Sequence, residues 1–296
     1  MTVFNLGSIN TDHFYRLAHL PAPGETLAAQ SYARGLGGKG ANQSVAAARA
    51  GAEVRHIGAI GPDGGWMVER LTTLGVDCRH VVQLETVSGH AIINIDAAGE
   101  NAIVIVPGAN RALPEALARE ALAGAGPGDV LILQNETSLQ VETARFAQEQ
   151  GLFVVYSAAP FEADAALAVL PHVSLLLLNE IEAGQLCEAL AVPLESLPVP
   201  ALCMTRGAQG ALWIEPEAGL RVEAPAFRVS PVDTTGAGDT FAGYLIAGLS
   251  QGLDPANAMR RASAAAALKV TRQGTAEAIP SAAETEAFLQ EQGLSE

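Results

Sequence analysis

The residues best able to do chemistry lie in one run, Asp233-Thr234-Thr235-Gly236-Ala237-Gly238-Asp239-Thr240-Phe241-Ala242-Gly243. Gly236 and Gly238 stand just before a long helical pattern, where glycine lets the backbone approach a ligand and aim free N–H groups at it. The helix dipole adds attraction for negative charge, roughly 0.3–1 kcal/mol and about 2 kcal/mol where partly buried. Such a turn is an anion hole. Asp239 beside it is no phosphate ligand, since like charges repel. It is placed to take a proton from a nucleophile approaching the same phosphorus. Read locally, an aspartate N-cap after a glycine turn explains these residues equally well.

A second candidate is Gly35-Leu36-Gly37-Gly38-Lys39-Gly40-Ala41-Asn42-Gln43. It matches GxGxxG in form, but a P-loop needs Ser or Thr after the lysine, and Gly40 stands there. A dinucleotide fold needs a ribose-binding acid at the end of the next strand, and 54–60 offers none. What remains is a glycine loop feeding a helix whose early Asn42 suits the hydroxyls of a compact polar ligand.

Other candidates follow apolar segments, where ligands bind in open α/β sheets. Asn179 and Glu182 are three apart, share a helix face, and could orient magnesium-bound waters near phosphates or simply cap the helix. Asp12, after Gly7-Ser8-Ile9-Asn10-Thr11, can accept two hydrogen bonds from vicinal hydroxyls, and Glu136 is similarly placed. Thr205-Arg206-Gly207-Ala208-Gln209-Gly210 offers N–H groups and a cation to a nucleotide, or is a surface turn. The histidines, His13, His56 and His90 among them, have no metal-ligand spacing and read as structural or solvent-facing.

These groups need a scaffold, and apolar runs alternate with helical patterns along most of the chain. Runs 54–59, 130–133, 152–156, 173–178 and 201–205 are short and apolar, as strands buried on both faces should be. Helical patterns lie at 41–50, 65–74, 139–150, 162–170 and 180–190, and again at 238–249, 255–270 and 281–292. The order implies a mostly parallel sheet between helix layers, a three-layer α/β/α sandwich. Segments 89–95 and 102–106, joined through Asp96-Ala97-Ala98-Gly99, form a hairpin signal. With the turn-rich stretch 13–34 they predict a small β-element outside the main sheet, a lid within a single domain spanning 1–296.

Composition narrows the function classes. A net charge of −15 argues against nucleic-acid binding, so an anionic nucleotide must be held by helix N-termini, a few cations and a divalent metal. Lysine occurs only as Lys39 and Lys269, one of them inside the glycine loop. Cys78, Cys187 and Cys203 lack CxxC spacing and read as reduced thiols. No apolar run reaches the roughly 18 residues of a membrane span, and 1–10 lacks a secretory pattern, so a soluble cytoplasmic protein is expected.

Together, Gly37-Gly38-Lys39-Gly40-Ala41-Asn42 and the 233–239 run, in this order and far apart, resemble the two signatures of the PfkB (ribokinase-like) carbohydrate kinases. The likeness extends through 7–12, 24–26, 108–110 and 270–272, and leans to the ribokinase branch. It implies a Rossmann-type α/β architecture with a β-lid, ATP with Mg2+ as donor, and D-ribose as acceptor. Deoxyribose, fructose or a nucleoside stay open as acceptors, and a silent sugar or nucleotide sensor stays open as a different class. A nicotinamide-dependent dehydrogenase would rest on the GxGxxG match alone.

The resemblance assigns the sugar to Asn10, Asp12, Gly38, Lys39, Gly40, Asn42 and Glu136, with Asp239 as the base and Gly236, Ala237 and Gly238 as the anion hole. The nucleotide falls to Asn179, Thr205, Arg206, Gly207, Gly210, Gly238 and Ser263, and the magnesium waters to Asn179 and Glu182. A K+ loop would comprise Asp233, Thr235, Lys269, Arg272, Gly274 and Ala278. Ala278 departs from the family's serine and removes one oxygen. Tyr156-Ser157-Ala158-Ala159-Pro160 departs from Asn-Pro-Ala-Pro near the expected metal waters. An exposed lid needs cover, which predicts a homodimer through 13–34 and 87–106.

Overall fold

Apolar strands buried on both faces organise the molecule, a computed structural model in which residues 1–294 are described. The chain runs through β1 (Thr2–Leu6), β2 (Asn10–Arg16), β3 (Ser31–Gly37), α1 (Lys39–Arg49), β4 (Glu53–Ile60), α2 (Gly65–Thr73), β5 (Asp77–Gln83), β6 (Gly89–Ile95) and β7 (Asn101–Val106). It continues with α3 (Leu117–Ala121), β8 (Val130–Gln134), α4 (Gln140–Glu149), β9 (Phe153–Ser157), α5 (Ala163–Val169), β10 (Leu175–Asn179) and α6 (Glu180–Leu190). Then come β11 (Ala201–Thr205), β12 (Ala211–Glu215), β13 (Leu220–Ala224), α7 (Ala237–Ser250), α8 (Pro255–Val270) and α9 (Ala282–Glu291).

Among the described residues the larger sheet has nine strands, ordered β13-β12-β11-β10-β9-β8-β1-β4-β5. From β11 to β5 the neighbours are parallel, while β12 and β13 add an antiparallel edge. Side-chain alternation splits the strands between two cores. Val3, Val130 and Ile132 pack with α1, α7 and α8, whereas Phe4, Leu131 and Leu133 pack with α3, α4, α5 and α6. Burying both faces explains the continuous apolar runs.

Strand order reverses at β1, which lies between β8 and β4, so the loops after β1 and β8 open onto the crevice where ligands bind in such sheets. The register aligns Gln134 with Ser157 and Asn179 with Thr205, bringing four candidate loops to one sheet end. Gly7 and Gly40 let α1 start directly against the end of β1. A Cβ on Gly40 would lie 2.4 Å from the Gly7 Cα.

The smaller sheet, ordered β3-β2-β6-β7, is the lid. It begins at Asn10 and includes Gly37, so it is wider than the expected 13–34 and joins the glycine loop without a linker. The hairpin turn forms as the sequence indicated, with Asp96 Oδ1 accepting from the N–H groups of Ala98 and Glu100. No described helix is long and apolar enough to cross a membrane.

Candidate active site

Gly236 starts α7 with φ 73°, the left-handed conformation that glycine adopts without strain. The first turn of α7 has no side-chain cap. Ala237 N–H turns back to Thr234 O at 3.2 Å, and Thr240 N–H reaches Gly236 O at 2.9 Å. The open donors of this turn, among the described residues, are therefore those of Gly238 and Asp239. Ala237, expected in the anion hole, lines the cleft but has its N–H engaged.

The Asp239 carboxylate lies at the mouth of this turn, 9% exposed. Asn42 Nδ2 donates to Oδ2 and Gln43 Nε2 to Oδ1, each at 3.0 Å, so both oxygens are fixed from α1. Gln43 Oε1 in turn accepts from Gln134 Nε2 at 2.8 Å, and Gln134 Nε2 also donates to Asn5 Oδ1 at 2.9 Å. Asn5 Nδ2 donates to Gly40 O and to Ser44 Oγ, which bonds His56 Nδ1. His56 Nε2 meets Gly7 O at 3.0 Å, and burial pulls its pKa down to about 4, leaving a neutral ring. A buried polar chain thus runs from β4 to Asp239 and fixes the carboxylate.

Gln43 and Ser8 stand in the candidate motifs without an expected role, Asn5 and Gln134 are not among the expected residues, and His56 is expected to be structural or solvent-facing. For Asn5 and Gln134 the available signal was a polar residue inside an apolar strand, since buried polar groups are costly unless they find partners.

A cleft of about 410 Å3 adjoins Asp239. Of the expected residues, Lys39, Asn179, Glu182, Thr205, Gly207, Gly236, Ala237 and Gly238 line it with Asp239. The Lys39 ammonium is held above its ordinary pKa chiefly by Asp239, and then by Glu136 and Glu182 against burial. Glu136 Oε2 accepts from Lys39 N–H at 3.0 Å and from Ser8 Oγ, placing an anion on the α1 N-terminus, where the dipole favours it. Asp12 is buried beside them, with no hydrogen-bond donor among the described residues. Burial, then Glu136 and Asp239, push its pKa up to about 7. Asn10 Oδ1 accepts from Asn110 Nδ2 at 2.7 Å.

Asn179 and Glu182 form a full capping box. Asn179 Oδ1 accepts from Glu182 N–H at 2.9 Å, and Glu182 Oε2 accepts from Asn179 N–H at 2.8 Å. Glu182 Oε1 is left for the cleft, and burial raises the pKa of this carboxyl. Among the described residues no cluster of three His, Cys, Asp or Glu side chains could hold a bare metal ion. A metal arriving with phosphates needs only one or two carboxylates, and Glu182 fits that demand.

Arg206, Gly210 and Ser263, expected at the nucleotide, lie outside the lining of this cleft. The Arg206 guanidinium turns to Glu223 at 3.4 Å, Gly210 closes a tight turn against Ala224, and Ser263 is buried along α8. The six positions expected around K+ are tied to one another and to neighbouring groups. Lys269 brings an ammonium to the Asp233 carbonyl, Arg272 pairs with Glu284 at 2.7 Å, and the Lys269 carbonyl accepts from Arg272 N–H. Thr235 and Gly274 direct N–H groups at the Asp233 carboxylate, and Ala278 presents only a methyl group.

Residues 2–282 match the family described as "pfkB family carbohydrate kinase". A ribokinase of Haemophilus influenzae is 36% identical over 306 aligned positions, gaps included, covering 98% of each chain. A deoxyribokinase of Salmonella typhi is 32% identical, covering 98% of this chain and 99% of its own. The solved structure of Arabidopsis thaliana ribokinase complexed with ribose and ATP superposes with a TM-score of 0.84 at 27% identity, covering 98% of both chains.

Proposed function

The chain belongs to the pfkB family of carbohydrate kinases, and from that premise we propose that it transfers the γ-phosphoryl group of ATP to the primary hydroxyl of D-ribose, giving D-ribose 5-phosphate. One observation carries the reading: a carboxylate clamped by two amides beside the open N–H groups of a helix start. Asp239 takes the hydroxyl proton as the oxygen attacks phosphorus. The N–H groups of Gly238 and Asp239 receive the charge of the migrating group, with Gly236 setting the turn that presents them. Lys39 adds a cation on the same side.

Asp12, which has no donor among the described residues, offers the sugar diol a carboxyl group that accepts from it when ionised. Glu136 and Asn10 hold the loops around it, and Asn42 Oδ1, buried without a partner among the described residues, is a further acceptor. Gly38 and Gly40 let the backbone of this loop pass close by. Thr205, Gly207 and Asn179 border the nucleotide. Bound with ATP, Mg2+ would supply charge neutralisation between the phosphates, and Glu182 with Asn179 would hold its waters. A cytoplasmic location belongs to this proposal, since ATP is available there. A second copy of the chain covers the lid, whose edge strands expose Ile103, Val104, Ile105 and Tyr32.

An acceptor panel with coupled ADP detection tests the reading. D-ribose should give the highest kcat/KM among ribose, 2-deoxyribose, fructose and adenosine. Sugar binding by calorimetry without ADP formation would mean a sensor and overturn it. The Salmonella typhi relative favours 2-deoxyribose as the second acceptor, and the ratio of the two kcat/KM values decides between them.

A further inference from the structure

Lys269, one of two lysines in the chain, lies one residue before the end of α8 and is 0% exposed. A lysine ammonium is rarely buried without a partner of opposite charge or an acceptor. Its Nζ donates to the Asp233 carbonyl at 2.9 Å. Asp233 is held on its other sides as well. Its carboxylate accepts from Thr235 N–H at 2.9 Å and from Gly274 N–H at 3.0 Å, and its own N–H reaches Val270 O at 3.1 Å. Three residues later the same segment becomes the turn at Gly236 and then Asp239. Lys269 therefore braces, from behind, the loop that presents the anion hole. Burial lowers its pKa while Asp233 and Asp239 raise it, so the ammonium feels the acids on the catalytic side.

The positions that family likeness assigns to a monovalent cation do not fit one here. The Asp233 carbonyl already faces a fixed ammonium, the Lys269 carbonyl already accepts from Arg272 N–H, and Ala278 has no side-chain oxygen. A second cation at that carbonyl would lie beside a like charge in a buried setting, where repulsion is poorly screened.

We propose that Lys269 is a tethered cation that takes the place of K+ behind the phosphate-binding turn, so that this kinase works without a monovalent activator. It is a positioning residue, acting through Asp233 on the 236–239 turn, and the proposal rests on the phosphotransfer reading above. The energetic logic favours tethering, because a covalently held charge needs no capture from solution and no ordering of a free ion.

The test uses the full chain in buffers with KCl or choline chloride at equal ionic strength. Initial rates should agree within about twofold, because no ion site remains to be filled. Lys269→Ala should lower kcat by about tenfold or more in choline chloride, and K+ or Rb+ should restore part of the loss by occupying the vacated charge position. Crystals soaked in RbCl should show anomalous scattering near the Asp233 carbonyl in Lys269→Ala and none there in the unaltered protein. Strong K+ stimulation of the unaltered enzyme, Rb+ at its Asp233 carbonyl, or full activity of Lys269→Ala without K+ would each overturn the proposal. Should the variant not fold, the salt series and Rb+ soak of the unaltered protein still decide. The soak needs no turnover, so its outcome is separable from failure of the kinase reading.

Discussion

Helices α6 and α7 start on the same cleft, yet their first turns are completed in opposite ways. At α6, Asn179 and Glu182 satisfy each other's backbone N–H groups reciprocally. At α7 no side chain caps the turn, Gly236 holds the left-handed conformation, and the donors of Gly238 and Asp239 stay open. Two helix dipoles therefore point at one cavity, but the α6 start carries the carboxylates of Glu180 and Glu182 in its first turn, which repel an incoming anion, while the α7 donors open from a glycine turn. The capped helix instead contributes what its cap leaves over, one carboxylate oxygen of Glu182. A motif lining a binding cleft can thus be largely occupied with its own helix, and the charge and bulk of the first-turn side chains separate the two termini.

The contrast breaks most directly at Asp239. Asp239→Asn should lower kcat by about 100- to 10,000-fold while ATP still binds, measured by coupled ADP release beside nucleotide calorimetry. Near-normal turnover would reduce the α7 start to a helix terminus with no part in the chemistry. Gln43→Met removes one of the two amides that fix the carboxylate, and kcat should fall by about 10- to 100-fold with KM for ATP little changed. An equal loss of ATP affinity would show that Gln43 supports the cleft in general.

The pH dependence of the sugar KM gives a smaller effect. Asp12 has its pKa raised to about 7, and sugar hydroxyls need the ionised form as acceptor. KM for the sugar should rise as pH falls below about 7, by at most about tenfold per unit. Stability moves the opposite way. An acid whose folded pKa is raised contributes stability present below its unfolded value and lost as pH rises through about 7. Asp12→Asn should flatten both profiles, as read by kinetics and by thermal melts across that window. The smallest effect sharpens the α6 side. Asn179→Ala should cost about 1 kcal/mol of stability, seen in denaturant unfolding, as loss of a cap does. A marked rise in the Mg2+ concentration for half-maximal rate would show that Asn179 also serves the metal waters.

Much of the fold was legible in residue patterns. Runs at 54–59, 130–133 and 201–205 became β4, β8 and β11 within a residue or so, because burial on both faces demands continuous apolar stretches. β5 was not read, since Asp77, Arg79, His80 and Gln83 leave no apolar run in a half-buried strand. β12 and β13 were passed over as well, because the antiparallel edge interrupts the alternation of strand and helix that guided the reading. At the site, Arg206 looked available as a nucleotide cation, and only the antiparallel edge, through β13, supplied Glu223 as its partner.

What the sequence alone determined was local: a glycine turn, a helix behind it and an aspartate in its first turn lie within a few consecutive residues, so backbone sterics and the helix start fix their relation. Tertiary structure decided everything that spans the chain. Asn42 and Gln43 grip Asp239 from 197 and 196 residues away, Glu136 lies on Lys39 N–H across 97, and Lys269 finds the Asp233 carbonyl across 36. The partner of a polar group is set by which strand ends and helices the packed core brings together, and no short stretch of sequence carries that register.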